Sequence, residues 1–405
     1  MVATTPDVVR SDGKVIGLVG TAHFFSHLYV LLLPPLFPLM RDTYGVGFAA
    51  LGAILTCFNV ATLVAQIPMG VVVDRLGARN ILIAGLALES LAVALIGAWS
   101  SFWGTLVLFS VAGLANSVFH PADYAILNAS VDKKRIGRAF SIHTFSGYVG
   151  FAVAPAAIIF LTHFVGWQAG LGLMGSLGLL TAAILVWQRD AMTEAAAEPS
   201  QKPKSAAMAA GLGLMLSPPI LLCWLFFLFL AAGNGGISNF GVSALNLAYG
   251  TELATATVAL SGFLFASAAG VLAGGILADR TDRHGTVAAI AFSLTALLIV
   301  LVATVDLSAT QLFSTLTVAG LLNGLVQPSR DMMVRAVTPP GAMGTVFGFV
   351  TSGFNLGGAV APVVFGALLD YGRPHLVFWL VAVLIMLSIV TVGTARSRAP
   401  VAIAS

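Results

Sequence analysis

The segment GVVVDRLGAR, at residues 70–79, decides the fold of this chain, because it is a charged turn between two long apolar blocks and is later repeated. The repeat is GILADRTDRH, at residues 275–284. Five identities keep one shift of 205 residues: Tyr44, Gly45, Gly70, Asp74 and Arg75 return as Tyr249, Gly250, Gly275, Asp279 and Arg280. A constant shift predicts that the chain consists of two homologous halves.

The second part of each half also repeats, with a shift of 207 residues. The matching positions are Asn116, Pro121, Gly137, Phe140, Gly150 and Pro155, which return as Asn323, Pro328, Gly344, Phe347, Gly357 and Pro362. One long hydrophilic stretch lies between the halves, at residues 188–217. We interpret it as a flexible cytoplasmic linker that joins an N-terminal half, residues 1–187, to a C-terminal half, residues 218–405.

The composition places the chain in a membrane. Of its 405 residues, 58% are hydrophobic and 9% are charged, whereas a soluble domain has about 25% charged residues. A hydrocarbon core about 30 Å thick needs roughly 20 apolar residues per helix, so there is room for about twelve spans. The apolar blocks are continuous, which excludes the alternating strands of a membrane barrel. The predicted spans are residues 15–39, 48–73, 81–99, 102–125, 138–162, 167–188, 219–243, 253–277, 286–305, 310–329, 344–368 and 375–394.

These patterns predict an all-α membrane protein with twelve transmembrane helices in two pseudo-symmetric six-helix halves, with the substrate site between the halves. The positions of the basic residues predict the orientation. If the N-terminus is cytoplasmic, all 19 Lys and Arg residues except Arg41 and Arg373 lie on the inside, as the positive-inside rule requires. Both termini and the linker are therefore expected in the cytoplasm. The net charge is only +3, and the basic residues form no patch that could bind nucleic acid, so no nucleic-acid partner is expected.

The pattern Gly70-x-x-x-Asp74-Arg75-x-Gly77-x-Arg79 resembles the signature loop of the major facilitator superfamily, although Ala78 stands where the family often has a basic residue. The resemblance covers nearly the whole chain. Two short runs, HFFSHL at residues 23–28 and SVFHP at residues 117–121, resemble the fosmidomycin-resistance group of drug exporters within it. The resemblance implies a cytoplasmic gate made of Gly70, Asp74, Arg75, Gly77, Arg79, Asp279 and Arg280. The alternative is a solvated turn whose basic residues only anchor the helices.

Ionisable side chains in the middle of a span are candidates for function, because they are costly in the membrane. His23 and His27 lie four residues apart in span one and share one helix face, which the resemblance places at the central cavity. They could titrate near neutral pH or bind an anionic substrate, or they could be satisfied by their neighbours. A zinc site needs further ligands, and none with clear spacing accompanies the pair, so no metal site is predicted.

Asn116, His120 and Asp123 form one stripe of span four, spaced i, i+4, i+7. The repeat places Asn323, Gln327 and Arg330 at the matching positions of span ten. We expect Asp123 and Arg330 to pair in one transport state and to part in the other, unless both are helix-end charges at the water interface.

Lesser cavity candidates are His143 in span five and Asn355 in span eleven. The polar, glycine-rich span seven is expected to be a kinked gating helix with Asn239 near the cavity, or else a helix with small-residue packing. Glu89 in span three is interpreted as a packing or interfacial residue. Many proton-coupled exporters of the superfamily carry an Arg four residues before a Gly in span four, but this chain has Phe109 before Gly113. If protons are coupled, His27, His120 or Asp123 must carry them.

The sequence therefore predicts a secondary transporter of the bacterial cytoplasmic membrane, a monomer that exports a small organic or anionic compound in exchange for protons. Import of a small carboxylate or phosphonate by proton symport is the alternative, because a fold does not fix direction. A membrane enzyme or channel is poorly supported, since the sequence contains no nucleophile–base motif, phosphate loop, metal cluster or selectivity filter. No cofactor is expected.

Overall fold

The computed structural model describes residues 6–192, 214–339 and 343–398, and it describes side chains between residues 12 and 391 of these segments except Ile67, Asp74 and residues 343–345. All regular structure in these segments is helical. The first unit contains α1 (Pro6–Val30), a 3-10 turn (Pro34–Leu36), α2 (Phe37–Tyr44), α3 (Phe48–Leu76), α4 (Ala78–Ala98), α5 (Phe102–Asn116), α6 (Phe119–Ser130), α7 (Ile136–Trp187) and a second 3-10 turn (Arg189–Ala191). The second unit contains α8 (Pro218–Gly235), a π-helical stretch (Gly236–Phe240), α9 (Gly241–Tyr249), α10 (Leu253–Asp279), α11 (His284–Thr304), α12 (Ala309–Val337), α13 (Met343–Asp370) and α14 (Pro374–Arg398).

Twelve spans follow from this helix order. In the described part of the chain, eleven helical segments are long and apolar enough to cross a membrane. One of them, α7, has 52 residues, or about 78 Å of helix at 1.5 Å per residue, which is more than two crossings need. Gly166 interrupts it with a left-handed φ of 79° and a ψ of 158°. Because α7 therefore contains spans five and six, the predicted count of twelve is confirmed.

The chain divides into two compact units, Met1–Pro199 and Ser200–Ser405. Most of the predicted linker, residues 193–213, lies outside the described part of the chain, so its boundaries and its flexibility stay predictions.

The two units pack their helices in the same pairs, as the sequence repeat predicts. In unit 1, α3 packs on α5, α1 on the first half of α7, and α4 on its second half. In unit 2 the corresponding pairs are α10 with α12, α8 with α13, and α11 with α14. Each span therefore has an equivalent in the other unit, with an equivalent neighbour.

Glycines at equivalent positions allow these close helix contacts. A Cβ atom on Gly113 of α5 would lie 2.4 Å from the Phe58 carbonyl oxygen of α3. A Cβ atom on Gly320 of α12 would lie 2.0 Å from the Phe263 carbonyl oxygen of α10. Small residues let membrane helices approach at backbone distance, and the same contact occurs in both halves. The repeat read from the sequence is therefore also a repeat of tertiary contacts.

The outer surface of each unit carries large apolar side chains, as a lipid-facing surface requires. Val64 and Phe160 in unit 1 and Leu297 and Val390 in unit 2 are among the exposed ones. Within unit 1, by contrast, some polar side chains are buried among apolar ones: Glu89, Asp123 and His143.

Candidate functional site

A break in span four positions the candidate site. Helix α5 ends at Asn116 and α6 begins at Phe119, with Ser117 and Val118 between them. Pro121 falls in the first turn of α6, where its missing N–H removes no helical hydrogen bond. The short helix α6 then presents His120 and Asp123 toward α1 and α7, and the common cavity face predicted for Asn116, His120 and Asp123 stays a prediction.

Asp123 is the centre of a histidine cluster in unit 1. Its side chain has no exposed surface. Its Oδ2 atom forms a 2.9 Å hydrogen bond with Nε2 of His143 on α7. Nδ1 of His23 on α1 lies 3.1 Å from the same oxygen. Two imidazoles from two different spans therefore meet one carboxylate oxygen from a third span.

Two further histidines surround this centre. The His23 ring stacks on the His143 ring with centroids 3.6 Å apart, and it lies 4.4 Å from His27 and 5.3 Å from His120. His23 and His143 are buried, whereas His27 is half-buried and His120 is exposed. The cluster consequently runs from the interior of unit 1 to its surface. His23, His27, His120, Asp123 and His143, all predicted from the sequence, are brought together.

Several polar atoms of the cluster are buried without a hydrogen-bond partner among the described residues: Nδ1 of His23, His27 and His143 and Oδ1 of Asp123. The 3.1 Å approach of His23 to Asp123 is thus close in distance but not aligned as a hydrogen bond. Buried polar groups are nearly always satisfied, so such atoms call for a water, an ion or a functional explanation.

Gly147 on α7 makes room for the cluster, which the sequence did not indicate. A Cβ atom there would lie 3.0 Å from both the His23 and His27 rings. The spacing His143-x-x-x-Gly147 places this glycine one turn from His143, on the same face of the helix. A small residue one turn from a candidate histidine is the signal that could have identified it.

Three of these residues could hold a metal ion. One ring nitrogen each of His23 and His143 and one carboxylate oxygen of Asp123 all lie within 4.8 Å of one another. The sequence predicts no metal site for the His23 and His27 pair, because no further ligand with clear spacing accompanies it, and this stays a prediction. Asp123 of span four and His143 of span five complete the candidate ligand set with His23. Sequence spacing could not reveal them, because they lie on other helices.

Glu89 is not interfacial, contrary to one of the roles expected for it. Its side chain is fully buried, and its Oε1 atom accepts a 3.0 Å hydrogen bond from Nδ2 of Asn116. The same amide nitrogen donates to the backbone oxygen of Ser26 at 3.2 Å. Asn116 thus connects α4, α5 and α1 behind the histidine cluster and is directed toward Glu89.

The candidates of unit 2 form no comparable cluster among the described residues. Asn323 and Gln327 are buried one turn apart on α12. Arg330 pairs with the adjacent Asp331 at 2.9 Å and stacks over the Phe227 ring. Since Asp123 bonds to His143 in unit 1, each of the two charges has a partner in its own unit. The proposed Asp123–Arg330 pairing stays a prediction.

Span seven is irregular, as expected. A π-helical stretch from Gly236 to Phe240 separates α8 from α9, and half-buried Asn239 lies within it. π-helical turns often mark functional positions. Asn355 is half-buried on α13. The gating role of span seven and the cavity roles of both asparagines stay predictions.

The signature loop is a tight turn between α3 and α4. Gly77 has a φ of 89°, a left-handed conformation that favours glycine. Nη1 of Arg79 donates to the Arg189 carbonyl oxygen at 3.2 Å, so the loop contacts the end of unit 1. Gly70 is half-buried and Arg75 is exposed, as are Asp279 and Arg280 of the repeat. The Asp74 side chain lies outside the described residues, and the gate stays a prediction.

An ion pair that the sequence did not indicate joins Asp12 of α1 to Arg135, which is half-buried. Nη2 of Arg135 lies 2.6 Å from Oδ2 of Asp12. This oxygen also accepts a 3.3 Å hydrogen bond from the Asp132 backbone N–H. The pair ties α1 to the turn between α6 and α7, and it therefore supports the helices that carry the cluster.

The chain has two repeated six-helix units whose helices are long enough to cross a membrane, and one unit contains a buried ionisable cluster. This combination defines the class of secondary transporters. The comparisons with known proteins agree. The model of the Major Facilitator Superfamily matches residues 19–245 and again residues 225–403. The chain belongs to the Major Facilitator Superfamily.

Individual relatives add detail. The chain is 23% identical to a fosmidomycin resistance protein of Escherichia coli (strain K12), over 98% of this chain and 96% of that protein. It is 27% identical to a probable L-galactonate transporter of the same organism, over 35% of this chain and 32% of that protein. Its fold is similar to that of a bacterial homologue of the human lysosomal transporter Spinster, with a TM-score of 0.79 at 14% identity and 98% coverage of both chains.

Proposed function

We propose that this chain is a proton-coupled exporter, which expels a small organic or anionic compound across the bacterial cytoplasmic membrane by alternating access. It acts as a monomer, with both termini in the cytoplasm and without a cofactor or enzymatic step. Export is supported by the resemblance, along nearly the full length, to a protein named for fosmidomycin resistance.

The observation that carries the proposal is the burial of ionisable groups inside membrane-spanning helices. Glu89 and Asp123 have no exposed surface, and His23 and His143 are 2% and 1% exposed. Such groups are expensive in a membrane and typically mark the path of a solute or an ion. Apolar side chains would pack the same volume at lower cost, so we assign these groups to transport.

Glu89 is the group that we assign to proton coupling. It takes the place of the three groups that the sequence favoured for this role, which are His27, His120 and Asp123. Its one hydrogen-bond partner is Asn116, and among the described residues no Lys or Arg pairs with it. A buried carboxyl without a cation is stabilised when it takes up a proton. Asn116 links it to α1 next to Ser26, at the break in span four. A change in the charge of Glu89 would therefore alter the hydrogen bonds of Asn116, which join α4, α5 and α1.

Proton-symport import of a small carboxylate is the second candidate. The partial similarity to a probable L-galactonate transporter favours it. Both candidates couple protons to a small solute and differ in direction.

The test begins with a deletion strain that is screened against many compounds for increased susceptibility. Each active compound is then added to energised everted vesicles that contain the protein, and the internal acidification is followed with a pH-sensitive dye. In everted vesicles the cytoplasmic face is outside, so an exporter carries the added compound inward in exchange for protons from the acidic lumen and dissipates the gradient. A symporter that imports the compound takes it up with protons from the periplasmic face, which is the lumen. The compound added outside therefore gives it no substrate, and the gradient persists.

Glu89→Gln keeps an oxygen that can accept from Asn116 but removes the exchangeable proton. We expect it to retain counterflow of the compound and to lose gradient dissipation. Glu252→Gln is the matched control, since Glu252 is exposed at the N-terminus of α10. If the Glu89→Gln protein still dissipates the gradient as the control does, protons are not coupled through this carboxyl.

A further inference from the structure

The unsatisfied atoms of the histidine cluster point to a ligand that goes beyond the proposed function. Asp123 Oδ1 and His23 Nδ1 are buried and have no hydrogen-bond partner among the described residues. His143 has a carboxylate partner on one ring nitrogen and none on the other. Asp123 Oδ1 is an acceptor, and so is His143 Nδ1 when Nε2 of the same ring donates to Asp123. Buried acceptors that face no donor among the described residues are the electrostatic condition that a cation satisfies.

The spacing of the donor atoms suits a small cation. Metal–nitrogen and metal–oxygen bonds of about 2.0–2.1 Å at tetrahedral angles separate neighbouring ligand atoms by about 3.3 Å. His23 Nδ1 and His143 Nε2 lie 3.1 and 2.9 Å from Asp123 Oδ2. The two distances need to change by only a few tenths of an ångström, and the three residues each offer a donor atom within 4.8 Å of the others. The His23 and His143 rings, which stack at an interplanar angle of 26°, must also tilt apart so that both lone pairs point at one ion.

The donor types restrict the choice of metal. Two imidazole nitrogens and one carboxylate oxygen suit first-row transition ions, whereas calcium and magnesium prefer oxygen ligands alone. We propose that His23, Asp123 and His143 bind one divalent first-row transition-metal ion, of which Zn²⁺ is the probe. The ion replaces the proton that His143 and Asp123 share and leaves one coordination position open.

The arrangement also provides an entry path and a structural consequence. Half-buried His27 and exposed His120 lie beside His23 and extend from the proposed site to the surface of unit 1. The three ligands come from α1, α6 and α7. A bound ion therefore joins spans one, four and five and opposes any transport step in which they separate. Metal binding and Glu89 are separate, because Glu89 contributes no ligand.

The experiment uses the full chain, purified in detergent with any affinity tag removed and metal extracted by a chelator. Calorimetric titration with Zn²⁺ should give one ion per chain. His23→Gln, Asp123→Asn and His143→Gln should each weaken binding more than about tenfold, since even ligand-supporting groups contribute that much. His163→Gln should leave the affinity unchanged, because His163 is exposed on α7, the helix that also carries His143. Binding is measured without transport, so failure of the proposed function leaves this result intact.

X-ray absorption at the zinc edge of the unaltered protein is the second measurement, and it does not depend on whether a variant folds. Two imidazole shells with an oxygen ligand support the site. A sulfur shell at about 2.3 Å would instead implicate Cys57 or Cys223, the free cysteines of the chain. That shell, the absence of binding to the unaltered chain, or unchanged affinity in all three folded ligand variants would each overturn the proposal.

Discussion

Gly150→Ala separates the role of the histidine cluster from the stability of the fold. Gly150 lies on α7 where it contacts α1, and a Cβ atom there would lie 2.3 Å from the Phe24 carbonyl oxygen. An ordinary contact is 3.4 Å or longer, so α1 and α7 must move apart by about 1 Å. Because α1 carries His23, the His23–Asp123 distance of 3.1 Å should increase to about 4 Å, which is outside contact range.

The expected loss of stability follows from two opposing effects. Inserting a methyl group into a tight contact costs about 1–3 kcal/mol, and replacing a helical Gly by Ala returns up to about 1 kcal/mol. The net loss is about 1 kcal/mol, or a fall of about 2–4 °C in melting temperature for a unit of this size. The measurement is thermal unfolding of the detergent-solubilised protein, together with Zn²⁺ affinity.

The repeat supplies the matched control. Gly357→Ala introduces the same clash in unit 2, since its Cβ atom would lie 2.4 Å from the Leu228 carbonyl oxygen. It should lower the melting temperature equally and leave Zn²⁺ affinity unchanged. Gly172→Ala has nothing within 4 Å and should be neutral or slightly stabilising. Equal Zn²⁺ affinities in the Gly150 and Gly357 variants would refute the link between α1 position and the cluster.

Three further predictions concern the gate and the orientation. Gly77→Ala should lower stability by about 1–2 kcal/mol, because a left-handed φ of 89° is unfavourable for a residue with a Cβ atom; an unchanged melting temperature contradicts this. Asp74→Asn should shift the resting population toward the inward-open state while membrane insertion persists, and crosslinking across the cytoplasmic face should fall; an unaltered yield counts against a latch. A Ser200→Cys probe should escape an impermeant thiol reagent in intact cells, with the parent chain as background, since the basic residues place the linker inside; prompt labelling would reverse the orientation.

Much of the architecture could be predicted because membrane insertion is governed by local rules. Each span must be apolar over its own length, and the signature turn repeats as residues 275–284 at a fixed distance along the chain. In α7, apolar length is not enough to count the spans. The helix extends over 52 residues, and the non-helical backbone of Gly166 divides it into two spans. Gly113 and Gly320 pack on equivalent helices, so the sequence repeat is also present in the tertiary contacts.

The candidate site was predicted in its members but not in its connections. An i, i+4 spacing places His23 and His27 on one face of α1, and that inference needs one helix only. It could not reveal that His23 and His143 converge on Asp123, because these ligands lie on three helices far apart in sequence. For Glu89 the sequence left packing and interfacial roles open, and only its burial and its hydrogen bond with Asn116 decide against the interfacial one. The sequence by itself determined the spans, the repeat and the family, since these depend on local hydrophobicity and turn chemistry. Only the tertiary structure decided which polar groups meet, because that depends on how helices distant in sequence pack against one another.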